Sequence, residues 1–166
     1  MSTVPPDITM PGFDSVTMPS AAALMGVPVT DFDLEVYGLG TRAIEAALRR
    51  EFGIVTVGAA FGVTKLKDLP VDVSVPRREN RTGVKHTDFE VQADPTMTPK
   101  DAAERRDFTV NAILWDPLTD TYEDPFHGRD DIARRVLRAV DPGTFGDDSL
   151  RVLRAVQFAA RFELTV

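Results

Sequence analysis

Residues 31–36 read Asp-Phe-Asp-Leu-Glu-Val, a strict alternation of acidic and apolar side chains. A strand sends successive side chains to opposite faces, so Phe32, Leu34 and Val36 share one face and Asp31, Asp33 and Glu35 the other. On a helix, residues two apart would diverge by about 200°. A strand is therefore predicted over 31–37. Residues 71–75, Val-Asp-Val-Ser-Val, alternate in the same way until Pro76 ends the run, which places Asp72 on a polar strand face.

The rest of the chain mixes strand and helix signals. β-type runs cover 54–59 and 61–66. A helix capped by Thr41 is predicted over 41–52, with Ile44 and Leu48 on its inner stripe. Thr98-Pro99-Lys100-Asp101 has a cap, a proline at the first helical position and an acid three residues after the cap. It opens a helix predicted over 98–107 that carries Arg105, Arg106 and Asp107. Strands at 112–116 and 121–124 flank a turn-like stretch at 116–120, giving a hairpin. A short helix at 130–135, a short strand at 136–140 and a last helix at 148–162 complete the series. Leu150, Leu153, Val156 and Ala160 form an apolar stripe on that last helix, which calls for a partner to pack on. The first 20 residues hold four prolines and read as largely irregular. A short helix from Ala21 ends near Gly26, and 79–97 reads as a long loop or flexible hairpin. The fold class is α+β. Three segments are expected: an atypical start at 1–25, a main domain at 26–142, and the truncated start of a helical unit at 143–166.

Composition narrows the function. With 166 residues, the chain suits one domain, or one domain and the start of another. Its 43% hydrophobic and 27% charged residues are those of a soluble globular protein. There is no run of 18 apolar residues and no basic-then-apolar leader, so neither a membrane span nor a signal peptide is expected. Cysteine is absent, which excludes disulfides and thiolate metal sites and fits a cytoplasmic protein. A net charge of −7 argues against broad nonspecific coating of nucleic acid. Two basic clusters, Arg77, Arg78, Arg81, Lys85 and Arg134, Arg135, Arg138, read either as solvated charge or as local basic tracks. His86 has no ligand partner at a useful spacing, His127 reads as structural or solvated, and Trp115 as core.

Asp31 and Asp33 leave one strand face with backbones roughly 6–7 Å apart. Such a pair suits two Mg²⁺ ions about 3.5–4 Å apart, with Asp72 as a third carboxylate. The plain alternative is a solvated strand edge; Glu35 either extends the same face or is solvated. Residues 105–112 gather two guanidiniums, a carboxylate and an amide. Arginine grips phosphate oxygens, and Asp107 and Asn111 can hydrogen-bond ribose hydroxyls. Asp148 and Arg151 lie three apart at a helix start, hence on one face. They are either a helix cap with its ion pair or a base-reading pair. A carboxylate accepts from the exocyclic amine of cytosine or adenine while a guanidinium donates to the ring nitrogen; guanine and uracil present the reverse pattern.

Taken in order, Asp31-Phe32-Asp33-Leu34-Glu35, residues 105–112, residues 124–132 and residues 147–162 resemble the head domain of class II CCA-adding enzymes, tRNA nucleotidyltransferases that share a family with bacterial poly(A) polymerases. The 105–112 stretch is similar to the family's Arg-Arg-Asp-x-x-x-Asn-Ala motif, and 124–131 to its Asp-Pro-x-x-Gly-x-x-Asp hinge. The resemblance covers about residues 26–164. It implies a polymerase-β-type nucleotidyltransferase head, a mixed sheet with helices, followed by the first helix of a helical neck. It implies an enzyme that adds C and A nucleotides from CTP and ATP to an RNA 3′ end, in tRNA CCA-end maturation or polyadenylation. In that reading Asp31 and Asp33 hold Mg²⁺, Arg106 meets the triphosphate, and Asp107 and Asn111 meet the ribose and neighbouring phosphate. Asp148 and Arg151 read the base, with Arg154 in support. Residues 76–79 fit a bacterial branch, and the loop after them is the mobile element that helps switch specificity from C to A.

Three departures stand out. The family's Gly-Gly-x-Val-Arg-Asp is replaced by residues 17–22, Thr-Met-Pro-Ser-Ala-Ala, which would obstruct a phosphate cradle. Asp147 stands where the resemblance implies Glu, and the family's body and tail domains, which hold tRNA, are expected to be missing from this stretch. Three functions therefore stand side by side: an active nucleotidyltransferase head, a nucleotide- or RNA-binding but inactive head, and a non-enzymatic RNA-interaction or dimerisation module.

Overall fold

The computed structural model describes residues 15–19, 21–57, 62–81 and 89–166. Its strands are β1 (Ser15–Pro19), β2 (Phe32–Tyr37), β3 (Ile54–Val57), β4 (Val63–Leu66), β5 (Val71–Ser74), β6 (Arg77–Arg81), β7 (Phe89–Ala93), β8 (Leu114–Asp116) and β9 (Thr121–Glu123). The helices are α1 (Ala21–Leu24), α2 (Thr41–Leu48), α3 (Pro99–Glu104), α4 (Gly128–Arg134) and α5 (Ser149–Phe162). Seven strands form one sheet in the order β3-β4-β5-β2-β1-β8-β9, and β6 and β7 form a separate pair. Only β2 and β5 pair in parallel among the described strands; the other pairs are antiparallel, so the sheet is mixed.

The alternation of β2 and β5 divides the sheet into two faces. Val36, Val73, Val75 and Leu66 join Ile44 and Leu48 of α2 in one buried cluster, with Leu34 packed against it. A second cluster gathers Phe108, Val110, Leu137 and Leu164, with Phe145, Ala155, Phe158, Ala159 and Phe162 against it. Phe108 lies 5.7 Å, ring centre to ring centre, from both Phe145 and Phe158.

Several expectations need correction. β1 pairs with both β2 and β8, so residues 15–19 are not irregular. Thr41 is the first helical residue of α2, and Gly40 at the cap position makes no side-chain cap. α3 has the capping box read from the sequence but stops at Glu104, so Arg105, Arg106 and Asp107 lie beyond it. The Asp107 carboxylate accepts from the Phe108 N–H at 2.9 Å, a local bond that competes with helix continuation. Thr109–Ala112 then forms a 3-10 turn, which delays β8 to Leu114. Residues 136–140 make isolated bridges, Phe108 to Ala139 and Val136 to Thr165, in place of a strand. On α5 the docked stripe is Ala155, Phe158, Ala159 and Phe162, because the aromatic side chains stack on the second cluster. The stripe read from the sequence faces outward: Leu150, Leu153 and Val156 are exposed. The loop expected at 79–97 contains the β6–β7 pair. Gly83, Lys85, His86 and the expected specificity loop's 82–88 portion lie outside the described residues, as do the ends of the 54–59 and 61–66 runs.

Candidate active site

The polar face of the sheet is built by register. Asp33 stands directly beside Asp72 across the parallel β2–β5 pair, and Asp72 beside Lys65 across β4–β5. Lys65 Nζ reaches Asp72 at 2.5 Å. Asp31 sits just ahead of β2, is exposed, and accepts from the Thr30 hydroxyl at 3.0 Å. Burial first, then the charge of Asp72, raises the Asp33 pKa; Asp31 adds to this, while Arg106 and Lys65 oppose it. Carboxylates that repel one another, all hard oxygen donors, fit a divalent cation of the magnesium type. Asp31, Asp33 and Asp72 do not close into a three-ligand cage: no cluster of three or more His, Cys, Asp or Glu at metal-binding spacing occurs among the described residues. Asp31 and Asp33 are the pair that remains open, since Asp72 is tied to Lys65.

Sequence reasoning left Glu35 undecided between extending the acidic face and being solvated. It is neither exposed nor idle. Only 7% of Glu35 is accessible. Arg105 and Arg106 each place an Nη2 on Oε1, at 2.8 and 3.1 Å, and the Tyr37 hydroxyl donates to Oε2 at 3.2 Å. Burial, then the Glu35 charge, pushes the Tyr37 phenol above its ordinary pKa, which keeps it a donor. The signal available in the sequence was the pair of adjacent arginines, which needs a counter-charge once buried.

Residues 107–111 form the second half of the site. Asp107 is 8% exposed, and its two oxygens accept from Phe108 N at 2.9 Å, Asn111 Nδ2 at 2.9 Å and Arg154 Nε at 2.6 Å. The carboxylate thus fixes Asn111 and ties α5 to the turn that carries it. That turn is held from behind by α4. Thr109 donates to Asp131 at 2.6 Å, and Arg138 donates to the same oxygen at 3.0 Å. A Cβ on Gly128 would stand 2.2 Å from the Thr109 carbonyl oxygen, so only glycine admits this approach. Asp124 caps α4 by accepting from the backbones of Gly128 and Arg129 at 2.7 and 2.9 Å. Two members of the 134–138 basic cluster are also engaged internally: Arg138 as above, and Arg135 on the C-terminal carbonyls of α5 and on Glu163.

Residues 22–138 match the sequence family described as the poly A polymerase head domain. This chain belongs to that family. It is 39% identical over 139 residues to a multifunctional CCA protein of Xylella fastidiosa strain 9a5c, covering 84% of this chain and 32% of the relative. Among solved structures, a tRNA-processing enzyme with CTP superposes with a TM-score of 0.71 at 28% identity, over 90% of this chain and 39% of the other. A tRNA nucleotidyltransferase complexed with a primer tRNA and an incoming ATP analog gives 0.70 at 28% identity, over 90% and 42%. The chain spans about a third of the length of the curated relatives it matches.

Two features gain meaning within the poly A polymerase head domain family. The residues standing where the family's glycine-rich motif is expected form the end of β1, then α1 from Ala21. Thr17 is 2% exposed and its hydroxyl lies 3.2 Å from that of Tyr37. A strand followed by a helix therefore forms here without glycines. At α5, Asp148 occupies the N-cap and accepts from Leu150 N at 2.9 Å. Arg151 is half-buried on the same turn, close enough to Asp141 for its charge to help lower that group's pKa. Asp148 and Arg151 share the first turn of α5, whose next turn carries Arg154 to Asp107.

Proposed function

We propose that this chain carries the nucleotide-adding site of an RNA 3′-end nucleotidyltransferase that takes CTP and ATP, with the tRNA 3′ end as acceptor. The observation that supports this best is that Arg106 is held at 3.1 Å by Glu35, two residues along the strand face that carries Asp33, with Asp31 just ahead of it. The reaction joins the RNA 3′-oxygen to the α-phosphorus and breaks the α–β anhydride, releasing pyrophosphate. Asp31 and Asp33 would hold Mg²⁺, which when bound activates the attacking hydroxyl and neutralises the triphosphate. Arg106 meets the triphosphate as a guanidinium held in place before substrate arrives. Asp107 orients Asn111 toward the ribose and holds Arg154 beside it. Asp148 keeps one oxygen on the helix cap, and Arg151 supplies the donor that selects cytosine and adenine.

Residues 26–142 would form the catalytic head, and 143–166 the start of the helical unit that reads the base. No described helix is long and apolar enough to cross a membrane. The strand that runs through Thr17 where glycines are expected favours a second reading, a head that binds nucleotide without turnover. One assay decides: incorporation of labelled CTP or ATP into tRNA lacking its 3′ end, with and without Mg²⁺. Incorporation that needs Mg²⁺ supports the first reading. Nucleotide binding without incorporation supports the second, and neither binding nor incorporation defeats both.

A further inference from the structure

Glu35 poses a problem that stability alone does not solve. Withdrawing a carboxylate and two guanidiniums from water is expensive, and apolar side chains of similar volume usually fill such a space as well or better. Yet Glu35 lies 7% exposed on the same strand face as Asp33, two residues on, with Arg105 and Arg106 both on its Oε1. The Tyr37 hydroxyl, bonded in turn to Thr17, fixes the other oxygen. Arg106 has no other carboxylate within 4.0 Å among the described residues, and its buried Nε has no hydrogen-bond partner. The carboxylate that follows it in sequence, Asp107, is occupied by Asn111 and Arg154. Asp33, exposed and two residues before Glu35 on the same face of β2, is the carboxylate beside a guanidinium released from Glu35.

We propose that Glu35 is a positioning residue that holds Arg105 and Arg106 and so keeps the Arg106 guanidinium off Asp33, leaving the Asp31–Asp33 pair open to a divalent cation. This rests on the reading of Asp31 and Asp33 as the cation pair. Without the Glu35 charge, Arg106 swings to the exposed carboxylate and competes with the cation from inside the protein. Glu35 therefore acts on the cation site through Arg106 and touches no substrate itself.

The test is Mn²⁺ binding to the chain alone, by titration calorimetry or loss of the free-ion electron paramagnetic signal, with thermal melts alongside. Glu35→Gln keeps the shape and an acceptor for Tyr37 but drops the charge. It should weaken Mn²⁺ binding by up to roughly fivefold, the scale of one newly formed exposed ion pair. Adding Arg106→Gln to Glu35→Gln should restore affinity to within about twofold of wild type, because the competitor is gone. A purely structural Glu35 gives the opposite pattern, with the double variant no better than the single one. Should Glu35→Gln not fold, Glu35→Asp carries the test, with a smaller weakening in the same direction that Arg106→Gln relieves. Wild-type Mn²⁺ affinity in the single variant, or no rescue in the double one, overturns the role of Glu35 alone. A wild-type chain that binds no Mn²⁺ overturns the cation reading of Asp31 and Asp33 and the role of Glu35 with it.

Discussion

On the sheet face, Asp31 and Asp33 are exposed, and their neighbours include further carboxylates. Some way along the chain, Asp107 is 8% exposed and accepts three hydrogen bonds, one of them from an arginine 47 residues away. The first arrangement leaves negative charge poorly compensated by the protein itself, which suits a group that must bind something from outside. The second satisfies every oxygen internally, which suits a group that builds the site for others. Burial and partner count thus separate the two carboxylates proposed to bind a cation from the one that positions its neighbours, although all three are aspartates.

The largest expected effect lies on the exposed side. Asp31→Ala or Asp33→Ala should lower Mg²⁺-dependent transfer at least about a hundredfold in any form of the protein that is active, while the melting temperature holds. Full transfer by both variants would erase the distinction. On the positioning side, Gly128→Ala drives a methyl group onto the Thr109 carbonyl, a backbone atom that cannot turn aside. A loss of about 3 kcal/mol or more is expected by chemical denaturation, at or above the upper end of ordinary overpacking. Asp107→Ala leaves Phe108 N, Asn111 and Arg154 without their acceptor and should cost about 1–3 kcal/mol in stability. Its Mn²⁺ affinity should stay at the wild-type value; a loss there would show that Asp107 belongs with the binding carboxylates.

Arg151→Ala should weaken CTP and ATP by roughly 1–3 kcal/mol each, and GTP and UTP far less. Equal small losses for all four nucleotides would leave Arg151 as surface charge on a capped helix. The smallest effect concerns the charge of Asp33. Its pKa is raised in the fold, so its favourable contribution is complete below the unfolded value near 3.9 and is lost as pH rises through the folded value. At pH 7 in EDTA, Asp33→Asn should therefore melt slightly above wild type, and the difference should vanish near pH 3. A variant that melts lower at pH 7 would mean that the carboxylate is better satisfied than its surroundings indicate.

The sheet face was legible because alternation is local: Asp33 and Asp72 stand side by side on the polar face as their spacing requires, with Asp31 just ahead of β2. The capping box of α3 and the hairpin of β8 and β9 were legible for the same reason. What the sequence did not disclose depends on partners far apart in the chain. Glu35 meets Arg105 across 70 residues, and Asp107 meets Arg154 across 47. The stripe of α5 was misassigned because the helix carries two apolar stripes, and only the position of Phe108 decides which one docks. Four prolines raised an expectation of largely irregular structure over the first 20 residues. Pairing with β2 and β8 overrode it, since backbone hydrogen bonds ask little of side-chain identity.

The parallel registration of β2 with β5 also dictates where this domain can change length. Inserting one residue within either strand ahead of Asp33 or Asp72 would turn the acid toward Ile44 and Leu48 and bring an apolar side chain to the open face. Such strands should tolerate substitution better than insertion. Length variation should fall in connections whose register the acids do not share, such as the turn between β8 and β9. A library of single-residue insertions scored for soluble expression should show this as two forbidden windows, at 32–37 and 71–74, with tolerated positions in the turn between β8 and β9.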